Sequence, residues 1–331
     1  MSEAAPLVRR PGSMWKLALR IVVSGALLAL VVSKASSVDD AIPDQHGALT
    51  ISLLVAAVLT ALLGVVLSAW RWQRVLLLFD VRVRVPALFS HYVVGLLVGN
   101  VLPSTIGGDV VRIARASNTV GSSKVSFASV VLERLTGFVA LPLLVFTGFA
   151  MRPSLIQHTN AWVAMLVAVS TLLVLTLILF VAGHPRLAGR YAGKESWARF
   201  IGEVHLGVER LRRDPRQIVP VLGTSLIYQT SQVLMFGLIF RALDLPVPIA
   251  AVIAFAPAVL MLQVLPITFS GLGVREGALV LFLHSFGVSN AQALAAGLLW
   301  WGCMIAVSLL GAPAFAVGNR PHSTTAAQEH V

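Results

Sequence analysis

Six ionisable residues stand out because the segments around them are apolar: Asp109, Arg112, Glu133, Arg134, Arg275 and Glu276. Arg112 ends the stretch NVLPSTIGGDVVR, residues 100–112, and Arg275 falls near the end of QVLPITFSGLGVRE, residues 263–276. Pro103 matches Pro266, 163 positions later, and without a gap Leu102, Thr105, Gly108, Val111 and Arg112 meet Leu265, Thr268, Gly271, Val274 and Arg275. Proline removes a backbone donor and glycine permits a tight return, so each stretch reads as a broken helix. A helix that restarts after such a break aims free N–H groups and a positive dipole end at what precedes it. With an arginine about one turn further on, the chemistry is recognition of an anion, and a lipid phosphate is the leading candidate. On this reading Arg112, Arg275, Asn100, Gly107, Gly108, Gly271 and Gly273 form the substrate site. The competing reading is that both arginines only snorkel to an interface.

The carboxylates belong to the same problem. Asp109, Glu133, Arg134 and Glu276 are read as an intramembrane charge network. Glu133 falls ~12 Å into a span at helical rise. Its neighbour Arg134 points elsewhere, because adjacent helical residues do not face each other. Glu133 therefore needs a partner on another helix, Arg112 or Arg275, either as a structural salt bridge or as a proton-coupling site. Asp109 suits the first turn of a restarted helix. His91, Gln229, Gln232, Gln263 and His284 are weaker candidates, better read as hydrogen bonds between helices.

The elements that must hold these residues follow from composition. Of 331 residues 57% are hydrophobic and only 12% charged, with a formal net charge of +11. Mean hydropathy is +0.86. Long apolar runs with short basic breaks mark an integral membrane protein. The positive charge then reports topology and anionic lipid contact rather than nucleic acid. Spans are expected at about 14–34, 48–70, 125–150, 160–182, 217–240 and 290–317. The run 87–102 lies between basic flanks and is ~24 Å long as a helix, too short for a ~30 Å hydrocarbon core. It and the run 248–265 are each expected to enter the membrane, break and return. Arg71 and Arg74 fall to a cytoplasmic loop in this scheme, with Trp70 and Trp72 at the interface.

The expected fold is thus all-α: six full spans plus two re-entrant half-helix pairs in an inverted repeat, with eight full spans as the alternative. One transmembrane domain covers 14–318, with repeat one about 48–150 and repeat two about 217–317. Between them 184–216 is basic, and Trp197, Phe200, Ile201, Val204, Val208 and Leu211 recur at helical spacing. That segment is expected to lie on the inner leaflet, or else to cover loop ends. Tails 1–13 and 319–331 are expected in the cytoplasm, the latter disordered. The positive-inside rule places both termini of this multi-pass protein in the cytoplasm, at the cell inner (plasma) membrane.

Several chemistries find no support. GLGVREG lacks dinucleotide-fingerprint spacing, and no Walker A, HExxH or GxSxG sequence occurs. The single Cys303 and unclustered histidines give no metal site. No catalytic residue and no cofactor are assigned, and the chain is not read as an enzyme.

NVLPSTIGGDVVRIARA, VVLERLTG, LPITFSGLGVREGAL and FGVSNAQALAAGLL together resemble the lysylphosphatidylglycerol synthase transmembrane-region family, also described as flippase-like. The matching positions are Asn100, Pro103, Gly107, Gly108, Asp109 and Arg112; Glu133, Arg134 and Gly137; and Pro266, Gly271, Gly273, Arg275 and Glu276. The acidic-Arg pair is Glu-Arg where the family pattern has Asp-Arg. The resemblance implies a lipid transporter or flippase that moves an anionic phospho-, aminoacylated or glyco-lipid between leaflets. In relatives with a separate cytosolic synthase domain, the membrane region is associated with flipping aminoacylated phosphatidylglycerol. The alternative is a non-transporting accessory subunit of a lipid-modifying or glycosyltransferase pathway. Expected partners are membrane lipids with anionic head groups, with a lipid-synthesis enzyme a further candidate, and no nucleic acid. The topology is checked with single cysteines: those at Ser37 and Pro248 should label from outside intact cells, and one at Gly193 should not. Labelling at Gly193 from outside overturns the orientation.

Overall fold

The computed structural model describes residues 47–101, 107–158, 160–184, 197–264 and 271–316. Among them every regular element is helical. A first unit comprises α1 (Ala48–Leu77), α2 (Val85–Val101), α3 (Gly107–Val120) and α4 (Ser123–Met151). Then come α5 (Ala161–Gly183) and α6 (Trp197–Arg213). A second unit follows as α7 (Ile218–Ala242), α8 (Ile249–Gln263), α9 (Val274–Leu283) and α10 (Asn290–Ser308), with a short α11 (Gly311–Ala316). Five of the described helices are long and apolar enough to cross a membrane: α1, α4, α5, α7 with its leading turn, and α10. The chain is a multi-pass membrane protein. The expected first span, the breaks at Pro103 and Pro266, and the tails 1–13 and 319–331 lie outside the described residues.

α2 and α8 have 17 and 15 residues. They reach only ~26 and ~22 Å at helical rise. Their surroundings differ from those of the long helices. α8 is buried from Ala250 to Met261 except at Ile253. α5 is just as apolar but turns Trp162, Leu166, Leu173, Leu177 and Phe180 outward, and packs through the small residues Ala161, Ala164 and Ala168.

The two units repeat each other locally. α1 ends in a turn through Asp80 at φ 60°, and α7 in a turn through Asp244 at φ 51°. The Val81 N–H returns to the Leu76 carbonyl as the Leu245 N–H returns to that of Phe240. Aspartate is among the few residues with a side chain that visit this left-handed region readily. α4 and α10 each begin under a serine: Ser122 accepts from the Val125 N–H, and Ser289 from the Gln292 N–H. Such caps satisfy a donor that the first helical turn leaves open. Packing follows the same plan. α1 lies on α7, α4 crosses α7 and α8, and α10 crosses α1 and α2.

Four expectations need correction. α1 does not end near residue 70 but runs to Leu77. Trp72 is fully buried rather than interfacial, and its indole N–H donates to Ser129 Oγ at 2.9 Å. Arg71 is buried rather than in a loop, because its guanidinium reaches a carboxylate on α4. The fourth concerns α6, where the packing favours the covering alternative over the leaflet reading. Val204 is buried with Leu135 of α4 and with Leu175 and Ala182 of α5, with Val208 packed against the same cluster. Arg212 Nη1 donates to the Gly183 carbonyl at 3.1 Å. This part of the apolar stripe covers the protein's own helices, so it is not free to enter a leaflet.

α2 and α3 approach closely through glycines. GLLVG, residues 95–99, sets Gly95 and Gly99 one turn apart on α2 against Gly108 on α3. Small residues at such spacing let helix backbones touch. A Cβ on Gly108 would lie 2.3 Å from the Gly95 carbonyl oxygen, so the helices would have to separate. Gly108→Ala should therefore destabilise the protein by about 1–3 kcal/mol. The readout is the thermal unfolding midpoint in detergent, and an unchanged midpoint contradicts the packing role.

Candidate functional site

The site begins with one carboxylate. Glu133, on α4, is 1% exposed. Arg71 from α1 binds its Oε1. Arg112 from α3 binds its Oε2 at 2.5 Å. Ser68, one turn before Arg71, donates to Oε1 at 3.1 Å. Three helices thus converge on one acidic side chain. Arg134 turns the other way and binds Asp109 Oδ2 at 2.5 Å. Arg112 and Arg134 both lie near Asp109, the Arg112 contact being longer at 3.8 Å.

Aromatic rings complete the walls. The Arg112 guanidinium lies 4.6 Å from the Trp72 ring centroid and 4.8 Å from that of Tyr92. Arg71 lies 4.4 Å from the Tyr228 ring. Such stacking gains most where the cation is shielded from water. Gly137 makes room: a Cβ there would sit 2.9 Å from Arg71 Nη1.

Two adjoining cavities of about 220 and 200 Å³ open beside this cluster and share Tyr92, Leu96, Arg112, Arg134, Gln263, Val264, Trp300 and Met304. Asn100, Gly108 and Asp109 line the first, and Arg71, Glu133, Gln229 and Gln232 the second. Around this joint cavity stand Arg71, Arg112 and Arg134 against Asp109 and Glu133, an excess of one positive charge. Several donors are left over. Arg71 Nε and Nη1 and Arg112 Nε are buried without a hydrogen-bond partner among the described residues. Among the described residues no group of His, Cys, Asp and Glu is arranged to hold a metal ion.

The second motif behaves differently, and here the expected equivalence of Arg112 and Arg275 does not hold. Arg275 is fully buried but pairs with its neighbour Glu276, through Nη2 at 2.5 Å and Nε at 3.0 Å. Its guanidinium lies 5.1 Å from the Trp300 ring, and Trp300 lines the cavity while Arg275 does not. Glu276 also accepts from the Gly273 N–H at 2.7 Å. The chain's own carboxylate thus takes that donor at the start of α9, in place of the lipid anion expected there. Gly271 and Gly273 have φ of 76° and 83°, and a Cβ on Gly271 would strike Gln263. They form the turn into α9; neither they nor Gly107 line the described cavity.

The difference between the halves has a positional origin. Glu133 lies eleven residues after the cap Ser122, and Trp300 eleven after the cap Ser289. Where the first unit supplies a carboxylate to Arg112, the second supplies an indole ring to Arg275. Arg71, Ser68, Tyr92 and Tyr228 were missed by sequence reasoning. The signal for Arg71 was its spacing: Ser68 and Arg71 share one helix face with Gly64, which packs on Ser231 and Gln232 of α7. Of the weaker candidates, Gln229 donates to the Gly137 carbonyl at 3.3 Å and His91 bonds Thr119 at 3.0 Å. His284 stands in the exposed turn after α9.

The sequence profile of the lysylphosphatidylglycerol synthase TM region matches residues 17–311. The chain belongs to the lysylphosphatidylglycerol synthase TM-region family. The match spans both Pro–Gly sequence motifs and Glu133, so the cavity lies inside the family's membrane region. Comparison with functionally curated proteins returned no similar chain.

Glu133→Gln should leave Arg71 and Arg112 as buried cations short of a partner. Breaking a buried pair costs about 3–5 kcal/mol. The same change in an Arg71→Met background should cost less, because one stranded charge is then absent. Unfolding of both in mixed micelles gives the coupling; additive losses contradict a shared ion cluster.

Proposed function

We propose that this family member is a lipid transporter that carries an anionic phospho-, aminoacylated or glyco-lipid between leaflets, and that it is not an enzyme. The observation that carries the reading is the buried excess positive charge beside a cavity, with guanidinium N–H groups that no atom of the described residues accepts. Unpaired buried donors are costly, and a phosphate oxygen entering the cavity would satisfy them. The proposed architecture is six full spans and two re-entrant pairs, α2 with α3 and α8 with α9, in an inverted repeat with both termini cytoplasmic. The short lengths of α2 and α8 and the repeated turns at Asp80 and Asp244 support it. Irregular backbone at membrane depth survives where it is buried in protein or lines a wet cavity. Transporters of this architecture bind substrate at such breaks. The anionic head group would contact Arg71 and Arg112, with Arg134 and Asn100 along the cavity wall.

Purified protein in phosphatidylcholine vesicles should exchange labelled phosphatidylglycerol between leaflets. Arg112→Lys should retain yield and melting temperature within a few degrees but lose at least ~10-fold in exchange, since lysine cannot reproduce a planar fork of donors. Arg275→Lys, behind the Trp300 ring and not on the cavity surface, should act on melting temperature instead. Wild-type exchange in Arg112→Lys overturns the role of that arginine. No exchange by the wild type favours an accessory subunit.

A further inference from the structure

We infer that the cavity selects lipids whose head group is a net anion without an amine, and that it rejects aminoacylated lipids. The inference rests on the proposed site and concerns which head groups fit it. An ammonium in a buried site needs a carboxylate, an aromatic face or neutral acceptors to replace its water. The carboxylates are already taken. Both that line the cavity, Asp109 and Glu133, are bound by arginines. Neither the connection 102–106 nor 265–270 contains an aspartate or glutamate.

Most of the aromatic rings are engaged in the same way, with Phe138 and Trp301 the exceptions. Among the described residues five rings line the joint cavity: Tyr92, Phe138, Tyr228, Trp300 and Trp301. Three of them, Tyr92, Tyr228 and Trp300, already face a guanidinium. An arriving ammonium would meet the excess positive charge at short range, where like charges repel most strongly.

A phosphodiester with a neutral hydroxylated head group meets the opposite conditions. Its single negative charge balances the excess. Asn100 Nδ2, Gln263 Oε1 and the indole N–H groups of Trp300 and Trp301 have no hydrogen-bond partner among the described residues. These residues line the cavity and add three neutral donor groups but one acceptor beside the cations, and one acceptor cannot replace the water around the three N–H groups of an ammonium. Glycerol or sugar hydroxyls can both donate and accept, so they suit this mixture. The family's descriptive name refers to a lysyl lipid; in this chain the charges around the cavity oppose one.

The test is a competition, run first on the unaltered chain. The full chain is held in detergent micelles, and native mass spectrometry counts bound lipid as phosphatidylglycerol competes with lysylphosphatidylglycerol. Phosphatidylethanolamine is a zwitterionic control. Phosphatidylglycerol should bind at least ~10-fold more tightly than either amine-bearing lipid. Leaflet exchange in phosphatidylcholine vesicles is measured in parallel with the same lipids. Arg71→Gln removes the excess charge and should shrink the preference severalfold. Binding of lysylphosphatidylglycerol within twofold of phosphatidylglycerol overturns the selectivity while leaving anionic-lipid transport standing. Preferential binding without exchange upholds the selectivity and removes the transport reading. Failure of every lipid to bind overturns both.

Discussion

A carboxylate with almost no access to water cannot stand alone in an apolar bundle, and Glu133 draws α1, α3 and α4 to one point. Moving such a group out of water carries a penalty of several kcal/mol, recovered only with well-placed partners. Arg71 and Arg112 are those partners, and each is itself buried and stacked on aromatic rings. The arrangement over-compensates the single negative charge. A surplus of guanidinium donors is left beside a cavity, and what the cavity can accept follows from that surplus.

Close helix packing makes the cluster possible. Gly95, Gly99 and Gly108 bring α2 against α3, which places Arg112 within reach of α4. Gly137 leaves room for the Arg71 guanidinium on α4 itself. Gly297 does the same for Glu276: a Cβ there would fall 2.9 Å from Oε1. These glycines act as spacers, letting charged side chains occupy volume that a methyl group would otherwise fill.

The repeat is geometric more than chemical. Both units use the same turn after the first helix, a short second helix, and a serine-capped last helix. Their charges are handled differently. In the first unit the arginine finds its carboxylate on the neighbouring long helix, beside the cavity. In the second it finds one on the next residue, folded back onto the start of α9 and sealed behind Trp300. One half thus offers charge to the cavity, and the other keeps its charge inside the wall.

By itself the sequence determined the membrane class, the long apolar spans from residue 48 onward, the two shorter apolar helices and the need of Glu133 for a partner on another helix. Those conclusions depend on hydropathy, on the backbone chemistry of Pro and Gly, and on the cost of a buried charge, all of which are local or additive. It could not separate α5 from α8, because both are apolar throughout; only packing decides that α8 lies inside and α5 outside. Nor could it place Arg71, which sits in a basic run that reads as a cytoplasmic flank. Positive-inside counting treats every arginine near a span end alike, whereas a carboxylate 62 positions away decides that this one turns inward. The repeat motifs made Arg112 and Arg275 look equivalent. Their roles diverge because an ion pair depends on which side chain stands across the gap, and that is a property of the assembled bundle: Glu133 for the first arginine, Trp300 and the adjacent Glu276 for the second.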